Sequence, residues 1–144
     1  MNINDKKIDF KARKKARQTA VQALYQYQMA NTNKDELMEK YVTANQETRF
    51  DSEFFQEILK GALGNLAYID EHLQPFLDRK LSSLDPIELS ILRVGCYEFV
   101  FRKDIPPAVI INEAVELAKK FGASDGHKYI NGVLDKLKES QQET

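Results

Sequence analysis

A chain of 144 residues with 42% hydrophobic side chains can build the core of one domain or of two tightly packed subdomains, which excludes disorder throughout. The formal net charge of -1 conceals an asymmetry: residues 1–17 hold seven cations (Lys6, Lys7, Lys11, Arg13, Lys14, Lys15, Arg17) against Asp5 and Asp9, a net +5 that leaves -6 on the rest. A positive arm on a mildly acidic body suits a polyanion binder, because phosphates attract Lys and Arg; the alternative is a solvated basic tail without a specific partner.

Apolar residues recur at helical spacing almost everywhere, and no stretch alternates apolar and polar residues as a strand does. The expected fold class is therefore all-α, a compact bundle of about seven helices. The first helix should run from about Phe10 to Met29, with Ala12, Ala16, Ala20, Ala23, Leu24 and Tyr27 as its apolar stripe. Its small alanines would let a neighbouring helix approach closely. Asn31 to Asn33 break the pattern, and Leu37, Met38, Tyr41 and Val42 mark a short second helix. Asp51 or Ser52 can cap a third, whose face holds Phe54, Phe55, Ile58, Leu59, Ala62 and Leu63 and which Gly61 and Gly64 should bend or end. Leu66, Ile69, Leu73 and Phe76 continue as a fourth helix with Pro75 in its final turn.

The sharpest boundary is Leu84-Asp85-Pro86-Ile87-Glu88-Leu89. Asp85 fits the N-cap, Pro86 the first helical position and Glu88 the acid of a capping box, while Leu84 can staple onto Leu89. The fifth helix carries too many apolar residues for an exposed position, among them Ile91, Leu92, Cys96, Phe99 and Val100, so it should be central. Ile105-Pro106-Pro107 opens a sixth helix through Val109, Ile110, Val115, Leu117 and Ala118, which Gly122 ends. A last helix starts near Ser124 or Asp125 and uses Ile130, Val133, Leu134 and Leu137, with a polar tail expected to fray. The division expected is an N-terminal helical subdomain at 1–80, carrying the basic arm, and a C-terminal one at 81–144.

Signals for chemistry are absent. Only His72, His127 and one cysteine are present, too dispersed for a metal motif, and neither a phosphate-cradling Gly-rich loop nor an activated nucleophile appears. No enzyme activity, metal or cofactor is expected. Cys96 cannot form an intramolecular disulfide, and its helical neighbours Leu92, Phe99 and Val100 predict a buried thiol in a reducing cytoplasm. The charged N-terminus does not resemble a signal peptide, and no apolar run approaches the ~18 residues of a membrane span, so no membrane association is expected.

Projected at ~100° per residue, the first helix is more informative. Lys11, Lys14, Lys15, Gln18, Gln22 and Tyr25 fall opposite the alanine stripe, with Arg13 and Arg17 flanking them. Cations neutralise phosphates, amides read base edges and a tyrosine ring stacks on an unpaired base, which is the equipment of single-stranded RNA recognition. The alternative is that Tyr25 packs inside the bundle. A second candidate surface is the entry to the last helix, where free N–H groups and Lys128 favour a phosphate while Asp125 opposes one and suits a plain N-cap. Lys119 and Lys120 suit the helix dipole at the end of the sixth helix better than they suit dedicated ligands.

The blocks ARKKARQTAVQALYQYQ, LDPIELSILRVGCYEF and PPAVIINEAVELAKKFGASDGHKYINGVLDKL, in this order and spacing, are similar to the NusB transcription antitermination family from Ala12 to Leu137. The resemblance implies two packed helical subdomains in a cytoplasmic bacterial factor. It implies binding to boxA, a short single-stranded element of ribosomal RNA leaders, jointly with the small-subunit ribosomal protein NusE in an RNA polymerase antitermination complex. Carried over by motif, RNA contact falls on the basic helix, Tyr25, Glu88 and Asp125, and Tyr129 faces NusE. Three lysines stand beside Arg13 and Arg17 where the family can be richer in arginine, which weakens the case for bidentate phosphate contacts. The family includes monomers and dimers, so a homodimer is a possible state. Two alternatives differ in class: the NusB-like domain of a ribosomal RNA methyltransferase, for whose catalytic domain 144 residues leave no room, and a purely protein-binding helical adaptor.

Overall fold

The structure, a computed structural model, describes residues 7–122 and 125–142. Residues 1–6 of the basic arm and Ser124, one of the two expected caps of the last helix, lie outside these.

Helix α1 (Phe10–Ala30) starts where the Asp9 carboxylate accepts the Ala12 N–H at 3.0 Å and stops at Asn31, whose φ of 50° places it in the left-handed region that Asn tolerates. Ala12, Ala16, Ala20 and Ala23 are buried as their spacing requires. Helix α2 (Lys34–Ala44) begins earlier than its apolar residues indicate, because the Asn33 side chain accepts the N–H groups of Asp35 and Glu36. Helix α3 (Ser52–Gly64) is capped by Asp51, which accepts the Phe54 N–H. Gly61 does not interrupt α3. A Cβ there would overlap the Tyr97 ring, so this glycine serves a close approach between helices.

Helix α4 (Leu66–Leu73) is shorter than expected: Pro75 lies in a 3₁₀ turn at Gln74–Phe76, and Phe76 falls outside the α-helix. A further 3₁₀ turn at Leu81–Ser83 leads to helix α5 (Pro86–Phe101). Asp85 caps α5 by accepting the N–H groups of Ile87 and Glu88, and Leu84 and Leu89 are both buried beside the cap. The reciprocal half of the capping box does not form among the described residues. The Glu88 carboxylate lies instead against Gly126, in space that a Cβ would fill.

Helix α6 (Pro107–Phe121) and helix α7 (Gly126–Gln142) complete the chain. The polar end of α7 stays helical through Gln142, because Leu137 is buried, Ser140 donates to its carbonyl and Lys103 donates to Gln141 at 2.8 Å. The described residues contain no strand. Helix α5 packs against α1, α3, α4, α6 and α7, and its residues from Leu89 to Phe99 are buried except the half-buried Arg93. Among the described residues, α1 to α7 all contribute to one contiguous apolar core. Cys96 is fully buried in it, with its thiol pushed up to about 12 by burial.

Candidate nucleic-acid interface

The outward face of α1 is built from residues that the alanine stripe forces away from the core. Lys11 and Lys14 are exposed; Lys15, Gln18, Gln22 and Tyr25 are half-buried. Helix α6 runs close enough for Lys14 Nζ to lie 3.8 Å from Glu113 and for Lys120 Nζ to donate to Gln18 Oε1 at 2.9 Å. Tyr25 is neither free in solvent nor packed in the core. With Gln22, Gln26, Met29, Tyr41, Ile87 and Phe121 it lines an open groove of about 440 Å³.

The two arginines of α1 are placed otherwise than on the flank of this face. Arg17 is only 3% exposed and holds Glu98, itself 1% exposed, through Nε at 3.0 and 3.1 Å and Nη2 at 2.7 Å. Its guanidinium also lies 5.0 Å from the centre of the Phe54 ring. Burial pushes the Glu98 carboxyl up, and the Arg17 hydrogen bonds oppose that rise. A phosphate could reach Arg17 only by breaking a buried ion pair, so the expectation of an RNA contact at Arg17 is withdrawn. Arg13 is half-buried, 4.5 Å from the same ring and 3.9 Å from Asp51. Lys11, Lys14 and Lys15 therefore present the outward charge of α1, as point charges rather than planar forks.

At the start of α5, Glu88 is half-buried over Gly126; burial and Asp85 push its carboxyl up, and Arg79 opposes them. Asp125 and Lys128 are exposed and 3.8 Å apart at the start of α7. Tyr129 donates its hydroxyl to Asp78 Oδ1 at 3.0 Å, with the Arg79 guanidinium 5.0 Å from its ring centre. Arg79 and Tyr129 hold the Asp78 carboxyl down at about 2. Two of the expected surfaces are thus neighbours: Ile87, adjacent to Glu88, lies in the same groove wall as Tyr25.

Sequence reasoning missed Ile87, Phe121 and Lys120 as members of this surface. A half-buried aromatic at a helix end reads like any core residue, and the contact between Lys120 and Gln18, with Phe121 in the groove beside Tyr25, reveals that α6 ends beside α1. Among the described residues no group of acidic, histidine or cysteine side chains could hold a metal, and no helix is long and apolar enough to cross a membrane.

The chain is similar to known proteins over most of its length. The model of the NusB family matches residues 14–139. The transcription antitermination protein NusB of Shewanella amazonensis is 48% identical over 125 residues, 87% of this chain and 93% of that protein. That of Pseudomonas entomophila is 50% identical over 125 residues, 87% of this chain and 75% of that protein. Among solved structures, a crystal structure of the antitermination factors NusB and NusE in complex with dsRNA matches with a TM-score of 0.83 at 27% identity, covering 92% of this chain and 99% of that one. NusB of T. maritima matches with a TM-score of 0.80 at 27% identity, covering 92% and 97%. The all-helical fold of the described residues, the lysine-lined first helix and these matches lead to one conclusion: the chain belongs to the NusB family of transcription antitermination proteins.

Proposed function

We propose that this chain is a cytoplasmic antitermination factor that binds boxA-type single-stranded RNA of ribosomal RNA leaders jointly with NusE, within an RNA polymerase antitermination complex. The observation that carries this reading is the outward face of α1, where Lys11, Lys14 and Lys15 lead along one helix surface to Gln18, Gln22 and the groove wall at Tyr25. Cations at one end and a ring beside amides at the other suit a flexible strand whose phosphates are neutralised and whose bases are splayed onto protein. The similar crystal structure of NusB and NusE with dsRNA supports both RNA and NusE as partners. Glu88, which lies against Gly126 and follows Ile87 of the groove wall, and the exposed pair Asp125 and Lys128 at the start of α7 are the further RNA contacts of this reading. Tyr129, with Asp78 and Arg79, forms the polar patch assigned to NusE.

The test is a titration of purified protein with boxA-like single strands, a scrambled strand and a duplex, each with and without the NusE of the same organism. Preference for the boxA-like strand, strengthened by NusE, is expected. Equal affinity for all three RNAs would remove the sequence-specific reading, and a preference for the duplex would make shape recognition the mode of binding. Sedimentation of the same samples decides between a monomer and a homodimer.

A further inference from the structure

We propose that the C-terminal end of α6 completes the RNA site: Phe121 and Tyr25 seat one unpaired base between them, and Lys120 holds a phosphate of the same strand. This rests on the reading of α1 as an RNA-binding face and adds a second helix to it. Three observations carry it. The groove wall that includes Tyr25 also includes Phe121, so two aromatic rings from different helices border one open space. At about 440 Å³ that space is within the range of roughly 300–1,000 Å³ typical of small-molecule sites, ample for a base. Gln22 and Gln26 line it as well, and their amides can both donate to and accept from a base edge.

The third observation concerns charge. Lys14, Lys119, Lys128 and Lys138 each lie within 4 Å of a carboxylate, at 3.8, 3.8, 3.8 and 3.7 Å. Lys120, like Lys40 and Lys103, donates instead to a neutral amide, and of these three it is the one that ties the end of α6 to the outward face of α1. Among the described residues Lys120 meets no carboxylate; its ammonium donates to the neutral Gln18 amide at 2.9 Å and lies 5.7 Å from the Phe121 ring centre. An uncompensated cation is thereby held beside the groove, one helical turn along α1 from Gln22. A phosphate can replace the amide oxygen as acceptor, and Gln18 is then free to bond the strand. A plain dipole-complementing charge at the end of α6 needs no partner on α1.

The experiment compares Lys120→Gln and Phe121→Leu with Lys15→Gln and Tyr25→Ala, using a boxA-like single strand at several salt concentrations, at a temperature where circular dichroism shows each variant folded. Lys120→Gln should lower the slope of log K against log salt by ~0.7, the value for one phosphate contact on a single strand. Phe121→Leu should weaken binding about 5- to 150-fold with the slope unchanged, the signature of a lost stacking partner. Lys120 lies outside the core, so its variant tests the proposal even if Phe121→Leu unfolds. Wild-type affinity and slope for Lys120→Gln, alongside a reduced slope for Lys15→Gln, would overturn this proposal and leave the α1 reading intact. Unchanged binding by Lys15→Gln and Tyr25→Ala as well would remove the α1 reading, and this one with it.

Discussion

Replacing Arg17 with alanine separates a structural cation from an RNA-binding one. Arg17 and Glu98 are almost wholly buried, and three hydrogen bonds of 2.7 to 3.1 Å join them. Removing one partner of such a pair leaves a charge without compensation and costs about 3–5 kcal/mol. For a chain of this size each 1 kcal/mol lowers the melting temperature by roughly 3–4 °C, so a fall of about 10–20 °C is expected. The substitution also creates a pH dependence whose sign follows from Glu98. Without Arg17, burial raises the folded-state pKa of that carboxyl further above its ordinary 4.5, so the folded chain binds more protons than the unfolded one. Stability of Arg17→Ala should therefore fall as pH rises above about 4.5, to a degree the wild type does not show. The double change Arg17→Met with Glu98→Leu removes both charges and should be close to neutral. Urea titrations of the three proteins at pH 5 and pH 8 provide the measurement. A loss below about 1 kcal/mol for Arg17→Ala, with a reduced salt slope of RNA binding, would refute the structural role and restore Arg17 to the interface.

Other expectations follow from single contacts. Tyr25→Ala should cost ~1–3 kcal/mol of affinity for single-stranded RNA with an unchanged salt slope and a smaller effect on duplex, as filter binding would show; a lower melting temperature at wild-type affinity would mean that the ring only packs. Gly61→Ala must displace the Tyr97 ring, whose hydroxyl donates to Glu57 at 3.0 Å, so thermal unfolding should register a loss of about 1–3 kcal/mol; a neutral result would show that α3 and α5 can move apart freely. Cys96, buried and with its thiol pushed up to about 12, should resist alkylation at pH 8 in the native protein and react quickly in urea. Fast native labelling would contradict its burial.

What could be read from the sequence was set by distance along the chain. The start of α5 depends on Asp85, Pro86 and the two N–H groups just beyond them, and it lies where the local pattern places it. The alanine stripe of α1 is likewise local, since helical periodicity alone determines which residues share a face. Gly61 could not be understood in that way. Its neighbours are compatible with a helix break, and only Tyr97 on α5 explains why a glycine sits inside an unbroken helix. The end of α7 shows the same limit in reverse, because its polar residues appear unanchored until Lys103 meets Gln141.

The α1 surface was legible as a pattern, but its two arginines lie elsewhere than on the expected flank, and Arg17 shows why. A helical projection assigns a face to each residue, yet it treats every cation as solvent-seeking, and Arg17 lies at the border of the alanine stripe, where either outcome is allowed. The deciding signal is on another helix. Glu98 stands in the run CYEFVF of a helix apolar nearly all round, and an acid so placed requires a buried cation, because an unpaired carboxylate in a core is too costly to persist. Arg17 is the cation that meets it, and Phe54 gathers Arg13, Arg17 and Arg102 within 5.5 Å of its ring centre. The arginines of α1 therefore fix the helix to α3 and α5, while its lysines stay on the outward face, with only Lys14 near a carboxylate, Glu113 at 3.8 Å, among the described residues. This division explains how a helix with so many like charges can be held firmly in a bundle. Its guanidiniums are held by carboxylates and an aromatic face, and the outward charge is left to ammonium groups, strongly hydrated point charges that can meet a phosphate without a planar fork.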